Sequence, residues 1–210
     1  MRLIGMLDSP YVRRVAICLD ALSVEFTHES VSVFNHFDHF RTINPVVKAP
    51  SFVCDDGTVL MDSSLILQYA EAALSDDRTL WSGETIQLEH QYRAVGLALA
   101  ACEKSAQAIY ETNLRPSEKQ HQPWLARVHG QLLAAYAGLE QELQQRPQLF
   151  NGALNHASIA AAIAWQFTQS VLAPVVKASA HPGLVALSAR LEQHPAFLRW
   201  PPTGPGVQAR

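Results

Sequence analysis

Three short stretches of this 210-residue chain carry side chains whose types and spacing can do chemistry. Ser9 stands directly before Pro10, and that pair is a strong helix start, because serine caps well and proline fits the first helical position. There a hydroxyl and the first helix amides point to one small volume of positive potential, which stabilises an anion. The plainer reading is that Ser9 only caps the helix. Asp62-Ser63-Ser64 is a second helix start with the same two readings. Either it caps and does nothing more, or Asp62 takes an ammonium while the Ser63 hydroxyl and the helix amides take the adjacent carboxylate, as the α-amino acid end of a ligand requires. Lys48, before Ala49-Pro50, is either solvated on its loop or a partner for another carboxylate. His36 and His39 could face one ligand, but a third ligand at useful spacing is missing and no metal site is expected. Tyr11 and the Arg13-Arg14 pair read as packing and solvated face.

The elements that must position these residues can be read from periodicity. Leu3 to Leu7 reads as a strand, and Tyr11 to Leu22 as a helix with Val12, Val15, Ala16 and Leu19 as its apolar stripe. Glu25 to Val31 alternates weakly, as a half-buried strand does. Phe34 to Arg41 is an aromatic helical segment closed by Asn44-Pro45. Pro50 sits at the entry of a short apolar strand, where its missing ladder donor costs nothing. The Asp55-Asp56-Gly57 turn and a second strand to Met61 follow, and then the helix that Asp62 opens. The order is β-α-β-α-β-β-α, ending near Ala73. Beyond a polar connection at 75–84, which Trp81 is available to pin, only helical patterns remain: 86–113, 123–145, 158–170, 183–193 and 195–200. This reads as an α/β domain at 1–74, a linker at 75–84 and an all-α domain at 85–210, with Pro201 to Gly206 as a frayed tail.

Composition narrows the classes of function. Apolar residues make up 48% of the chain, enough to fill the cores of such domains, and a net charge of −3 provides no basic footprint for nucleic acid. Residues 1–74 hold five basic and nine acidic side chains, and the remainder eleven and ten. Cys18, Cys54 and Cys102 form no Cys-x-x-Cys pair and no metal-ligand spacing, and reduced thiols in a cytoplasmic protein are the simplest expectation. No apolar run reaches the length of a signal peptide or a membrane span.

Taken together in order, Ser9-Pro10-Tyr11-Val12-Arg13-Arg14-Val15, Asn44-Pro45 with Lys48-Ala49-Pro50, and Asp55-Asp56-Gly57 leading to Asp62-Ser63 resemble the cytosolic glutathione S-transferase superfamily, in its bacterial serine-type (Ser-Pro) form. The resemblance implies an N-terminal thioredoxin-like domain with a mixed four-stranded sheet, a C-terminal helical bundle, and a homodimer. It implies that Pro50 is cis and that the backbone of Ala49 pairs with the cysteinyl part of glutathione. Asp62 and Ser63 match the pair that holds the γ-glutamyl group, Lys48 and Ala49 the stretch before the cis-proline, and Ser9 the residue that serves the thiol. Family geometry places an acceptor pocket for a small electrophile between the domains, with Tyr11, Phe34 and Tyr110 among its walls, the plainer reading of Tyr110 being ordinary helical core.

The implied activity is transfer of glutathione, as co-substrate and without a metal, to a small electrophile. The alternatives are a non-catalytic member that binds glutathione or another protein, and a glutathione-dependent reductase or isomerase. Cysteine is absent at both Ser9 and Val12, which disfavours dithiol chemistry. Two departures from the family stand out. Val47 replaces the glycine usual before the lysine. Ser158-Ile159-Ala160-Ala161 lacks the acid of the family's helix cap, so Ser158 is expected to cap without a reciprocal partner.

Overall fold

A computed structural model of the chain describes residues 1–207. They divide into two compact units, 1–80 with 194–206, and 81–193 with 207. The first unit holds one mixed sheet of β1 (Arg2–Ile4), β2 (Thr27–Glu29), β3 (Ser51–Val53) and β4 (Val59–Met61), in the order β2-β1-β3-β4. β1 runs parallel to β2 and antiparallel to β3, which pairs antiparallel with β4. Parallel neighbours need a crossover, and α1 (Pro10–Ala21) supplies it. β3 and β4 need only a tight turn, in which Asp56 Oδ1 accepts the Thr58 N–H at 2.9 Å. Alternation along the strands feeds both faces. Leu3 and Phe52 pair across the β1–β3 ladder and are wholly buried. Ile4 and Val53 join Val31 and Phe40, the last from α2 (Phe37–Ile43), in a separate cluster. With α3 (Ser63–Ala73), this is the thioredoxin-like element order expected from the sequence.

The second unit is helical: α4 (Thr85–Asn113), α5 (Gln122–Gln145), α6 (Gln148–Asn151), α7 (His156–Leu172) and α8 (Pro182–Leu191). α7 is its axis, packed against α4, α6 and α8, and every residue from His156 to Trp165 is buried. Tyr136 of α5 donates to Thr168 Oγ1 at 2.6 Å, and Thr168 shares a further bond with Ser105 of α4 at 2.7 Å. A buried polar group is tolerated when its partners are present, and this column satisfies three at once. Burial pushes the Tyr136 phenol well above its ordinary pKa. Trp81 stacks on Tyr92 with ring centroids 4.1 Å apart, pinning the connection as expected. The start of α7 corrects the sequence reading. Asn155 is the cap: its side chain accepts the Ser158 N–H at 3.0 Å, and Ser158 Oγ accepts the Asn155 N–H at 3.2 Å. The reciprocal box therefore forms three residues upstream of the expected position, because asparagine caps as well as serine does and Ser158 serves as its partner.

The end of the first unit brings two further corrections. α9 (Pro195–Arg199) packs on α1, which also lies against β1 and α3. Arg13 and Arg14, expected on a solvated face, are therefore 1% and 3% exposed. Arg13 places its guanidinium 5.3 Å from the centre of the Phe197 ring and donates from Nε to the Trp200 carbonyl at 2.8 Å. Trp200 stacks on Phe26, centroids 5.0 Å apart. Residues 201–206, expected to fray, instead reach Asp8: its N–H donates to the Thr203 carbonyl at 3.0 Å and its Oδ2 accepts the Gly206 N–H at 2.7 Å. A proline-rich segment has few donors of its own, and here Asp8 satisfies both a carbonyl and an amide of it.

Candidate functional site

Ser9 is the residue before α1, and its side chain makes no capping hydrogen bond. The cap is closed by backbone alone, the Arg13 N–H donating to the Ser9 carbonyl at 3.0 Å. The hydroxyl is thus left for another partner, at the positive end of a 12-residue helix. Pro10 occupies the first helical position, as its fixed φ favours.

The loop before β3 is shaped by Asn44, which the sequence reading took as a helix stop and as part of the family's motif but gave no role in the site. Asn44 is buried, and its side-chain amide donates to Ser51 Oγ at 2.8 Å while its carbonyl oxygen accepts the Val46 N–H at 3.0 Å. Ser51 Oγ in turn donates to the Lys48 carbonyl at 2.7 Å. The Ala49–Pro50 peptide bond is cis, as the resemblance implies. Val47, where the family has glycine, keeps a left-handed backbone with φ 52°. A β-branched residue there is strained by about 1–2 kcal/mol, a cost that glycine would not incur.

Asp62 adopts φ 73° and caps α3, its Oδ1 accepting the N–H groups of Ser64 at 2.9 Å and Leu65 at 3.4 Å. Its other carboxylate oxygen lies 3.7 Å from Lys48 Nζ. Asp62 is thus the cap of α3 through one oxygen, while the other lies near the Lys48 ammonium. Ser63 is 4% exposed, and its Oγ accepts from Arg14 at 3.1 Å, as Ser64 Oγ does at 3.0 Å. Arg14 was missed as a site residue, because a pair of arginines on a helix reads as a solvated face until a second layer is known to cover it.

These contacts bring the three stretches to one end of the sheet. Lys48 meets Asp62, and Arg14 of α1 meets Ser63 of α3. Gly5, at φ 141°, closes the ring: a Cβ there would lie 2.6 Å from Val12 Cγ2 and 3.2 Å from Ala49 Cβ, so the β1–α1 turn and the cis-proline loop touch only because this residue has no side chain. Tyr11 and Phe34 are half-buried, Tyr11 in the first turn of α1 and Phe34 shortly before α2. Tyr110 belongs to α4 in the second unit and is 43% exposed, which is not the burial of a core residue.

Two of the protein's three thiols are poorly placed for chemistry. Cys18 is wholly buried and burial pushes its pKa up to about 12, while Cys102 is also buried and Cys54 is half-exposed. His36 and His39 are exposed, and among the described residues no group of three His, Cys, Asp or Glu side chains could hold a metal ion.

Comparison with known proteins places this geometry. The family model for the glutathione S-transferase N-terminal domain matches residues 3–77. The uncharacterized GST-like protein YibF of Escherichia coli is 31% identical over 71 residues, which are 34% of this chain and 35% of that protein. The chain thus spans about a third of the length of the curated relative it matches. A glutathione S-transferase from Methylobacterium radiotolerans, crystallised in complex with glutathione sulfonate, is 25% identical with a TM-score of 0.89, covering 100% of this chain and 98% of its own. A glutathione transferase family member from Pseudomonas fluorescens, with bound S-(propanoic acid)-glutathione, is similar in fold, at 24% identity and a TM-score of 0.79 over 97% of this chain and 100% of its own.

Proposed function

We propose that this chain is a member of the cytosolic glutathione S-transferase superfamily and a glutathione transferase of the serine type, joining the sulfur of glutathione to a small electrophile, a reading supported by the family model over residues 3–77 and by the similar solved structures. The observation that carries this reading is the convergence of a serine hydroxyl without a capping bond, a cis-proline loop and an acid-serine helix start at one end of one sheet. Asp62 pairs with the ammonium of the γ-glutamyl group through the oxygen that does not cap α3, and Ser63 takes its carboxylate. Ala49 pairs through its backbone with the cysteinyl part beside Pro50, and Lys48 takes a further carboxylate. Ser9 donates to the sulfur once it has lost its proton to solvent. The thiolate then attacks the electrophilic carbon, a carbon–sulfur bond forms, and the leaving group departs with its electron pair. Binding of glutathione in two of the similar crystal structures, as the sulfonate and as an S-conjugate, supports the ligand.

Tyr11 and Phe34, half-buried in the first unit, are wall residues of the acceptor site in this reading. Homodimer formation and a cytoplasmic location are part of the same reading. Among the described residues no helix is long and apolar enough to cross a membrane. Incubation of the purified chain with glutathione and a panel of electrophiles, including an aromatic halide, tests the activity. Glutathionyl adducts with matching halide release are expected. Calorimetric binding of glutathione with no adduct across the panel would replace the transferase reading by that of a binding protein.

A further inference from the structure

The last residues of the first unit run back along α1 to the residue before Ser9. Arg199 pairs with Asp20 near the C-terminal end of the helix, and the Trp200 carbonyl accepts from Arg13 Nε in its first half. The Thr203 carbonyl then accepts the Asp8 N–H at 3.0 Å, and the Gly206 N–H donates to Asp8 Oδ2 at 2.7 Å. Gly204 lies so close that a Cβ on it would overlap the Asp8 carboxyl group, 2.7 Å even from Oδ1, the farthest of the three atoms it would meet. The approach therefore depends on glycine at this position.

We propose that residues 199–206 are a strap that holds the Asp8–Ser9 backbone ready for thiolate binding, with Asp8 as a positioning residue and Gly204 as the residue that lets the strap close. This rests on the reading of Ser9 as the donor to the glutathione sulfur. A hydroxyl and a helix end stabilise an anion to the extent that they are oriented before the charge appears, and the strap ties down the residue that immediately precedes both. Charge acts in the same direction. Burial raises the Asp8 pKa, with the Gly206 amide the largest opposing influence. A carboxylate gripped by that amide is not free to turn toward the sulfur, where like charge would oppose ionisation of the thiol.

The test uses the full-length protein with glutathione as probe, following the ultraviolet absorbance of the bound thiolate against pH and glutathione binding by calorimetry. Gly204→Ala, and a chain ended after Pro202, are expected to raise the pKa of the bound thiol by about one unit, with about a tenfold loss of thiolate on the acid side and an affinity for glutathione within about twofold. Asp8→Ala is expected to give part of this rise, and Asp8→Asn, which keeps an acceptor for the Gly206 N–H, to recover most of what Asp8→Ala loses. If the wild-type protein ionises bound glutathione and both Gly204→Ala and the shortened chain titrate with it, the strap has no such role. If the wild type leaves the bound thiol at its free value, the reading of Ser9 itself fails and the strap's role with it. Gly204→Ala deletes nothing and decides the matter should the shortened chain unfold.

Discussion

Replacing Ser9 by alanine is expected to lower kcat for glutathione transfer to an aromatic halide at pH ~7 by about fourfold to twenty-five-fold, with a smaller change in KM for glutathione. A free thiol of pKa ~8.5 is only about 3% ionised at pH 7, and lowering that pKa by about two units makes roughly three quarters of it thiolate. Such a shift needs about 2.7 kcal/mol of preferential stabilisation of the anion. A hydrogen bond to a charged group contributes about 1.5–3 kcal/mol, so one hydroxyl donor supplies a large share and the N-terminus of α1 the remainder. Ser9 is placed for this by Pro10 and by a backbone-only cap that leaves its hydroxyl unused. The groups proposed to bind glutathione lie on the cis-proline loop and at the start of α3, so removing one oxygen at Ser9 leaves them in place. Steady-state kinetics at saturating glutathione checks this, and an unchanged kcat would remove Ser9 from the mechanism.

Asp62→Asn is expected to weaken glutathione binding by about tenfold while leaving the unfolding midpoint nearly unchanged. The substitution separates the two roles that share this side chain. Asparagine caps helices about as well as aspartate and tolerates the left-handed backbone at φ 73°, so the bonds from the Ser64 and Leu65 N–H groups survive. The negative charge alone is lost. Its pairing with Lys48, at 3.7 Å between half-exposed side chains, contributes at most ~1 kcal/mol to the fold. Pairing with the ligand's ammonium is a charged hydrogen bond, discounted to about 1.4 kcal/mol because Asp62 is partly solvated. Calorimetric titration and thermal unfolding of the same preparations check both halves. An unchanged affinity would assign Asp62 to the cap alone.

The parts of the fold that were legible in the sequence were those set by local chemistry. Ser9-Pro10 and Asp62 mark helix starts because capping depends on a few adjacent residues, and the Asp55-Asp56-Gly57 turn fixes its hairpin in the same way. The candidate site was legible to the extent that it is made of such starts. Arg13 and Arg14 were misread because amphipathic periodicity reports one buried face, whereas α1 is covered by the sheet, by α3 and again by α9, whose return depends on the far end of the chain. The same distance hid the strap: nothing near Pro201 to Gly206 announces that its carbonyl and amide partners are on Asp8. At α7 the residue types were right and the register was not, since Asn155 and Ser158 each qualify as caps and only the helix itself chooses between them.

A crystal structure with glutathione bound tests the central claim most directly, because it locates the sulfur, the cysteinyl backbone and the γ-glutamyl group together. The expected result has the sulfur within hydrogen-bonding reach of Ser9 Oγ, the cysteinyl backbone paired with Ala49, and the γ-glutamyl ammonium and carboxylate at Asp62 and Ser63. A sulfur turned away from Ser9, or a γ-glutamyl group held elsewhere than at the start of α3, would contradict it.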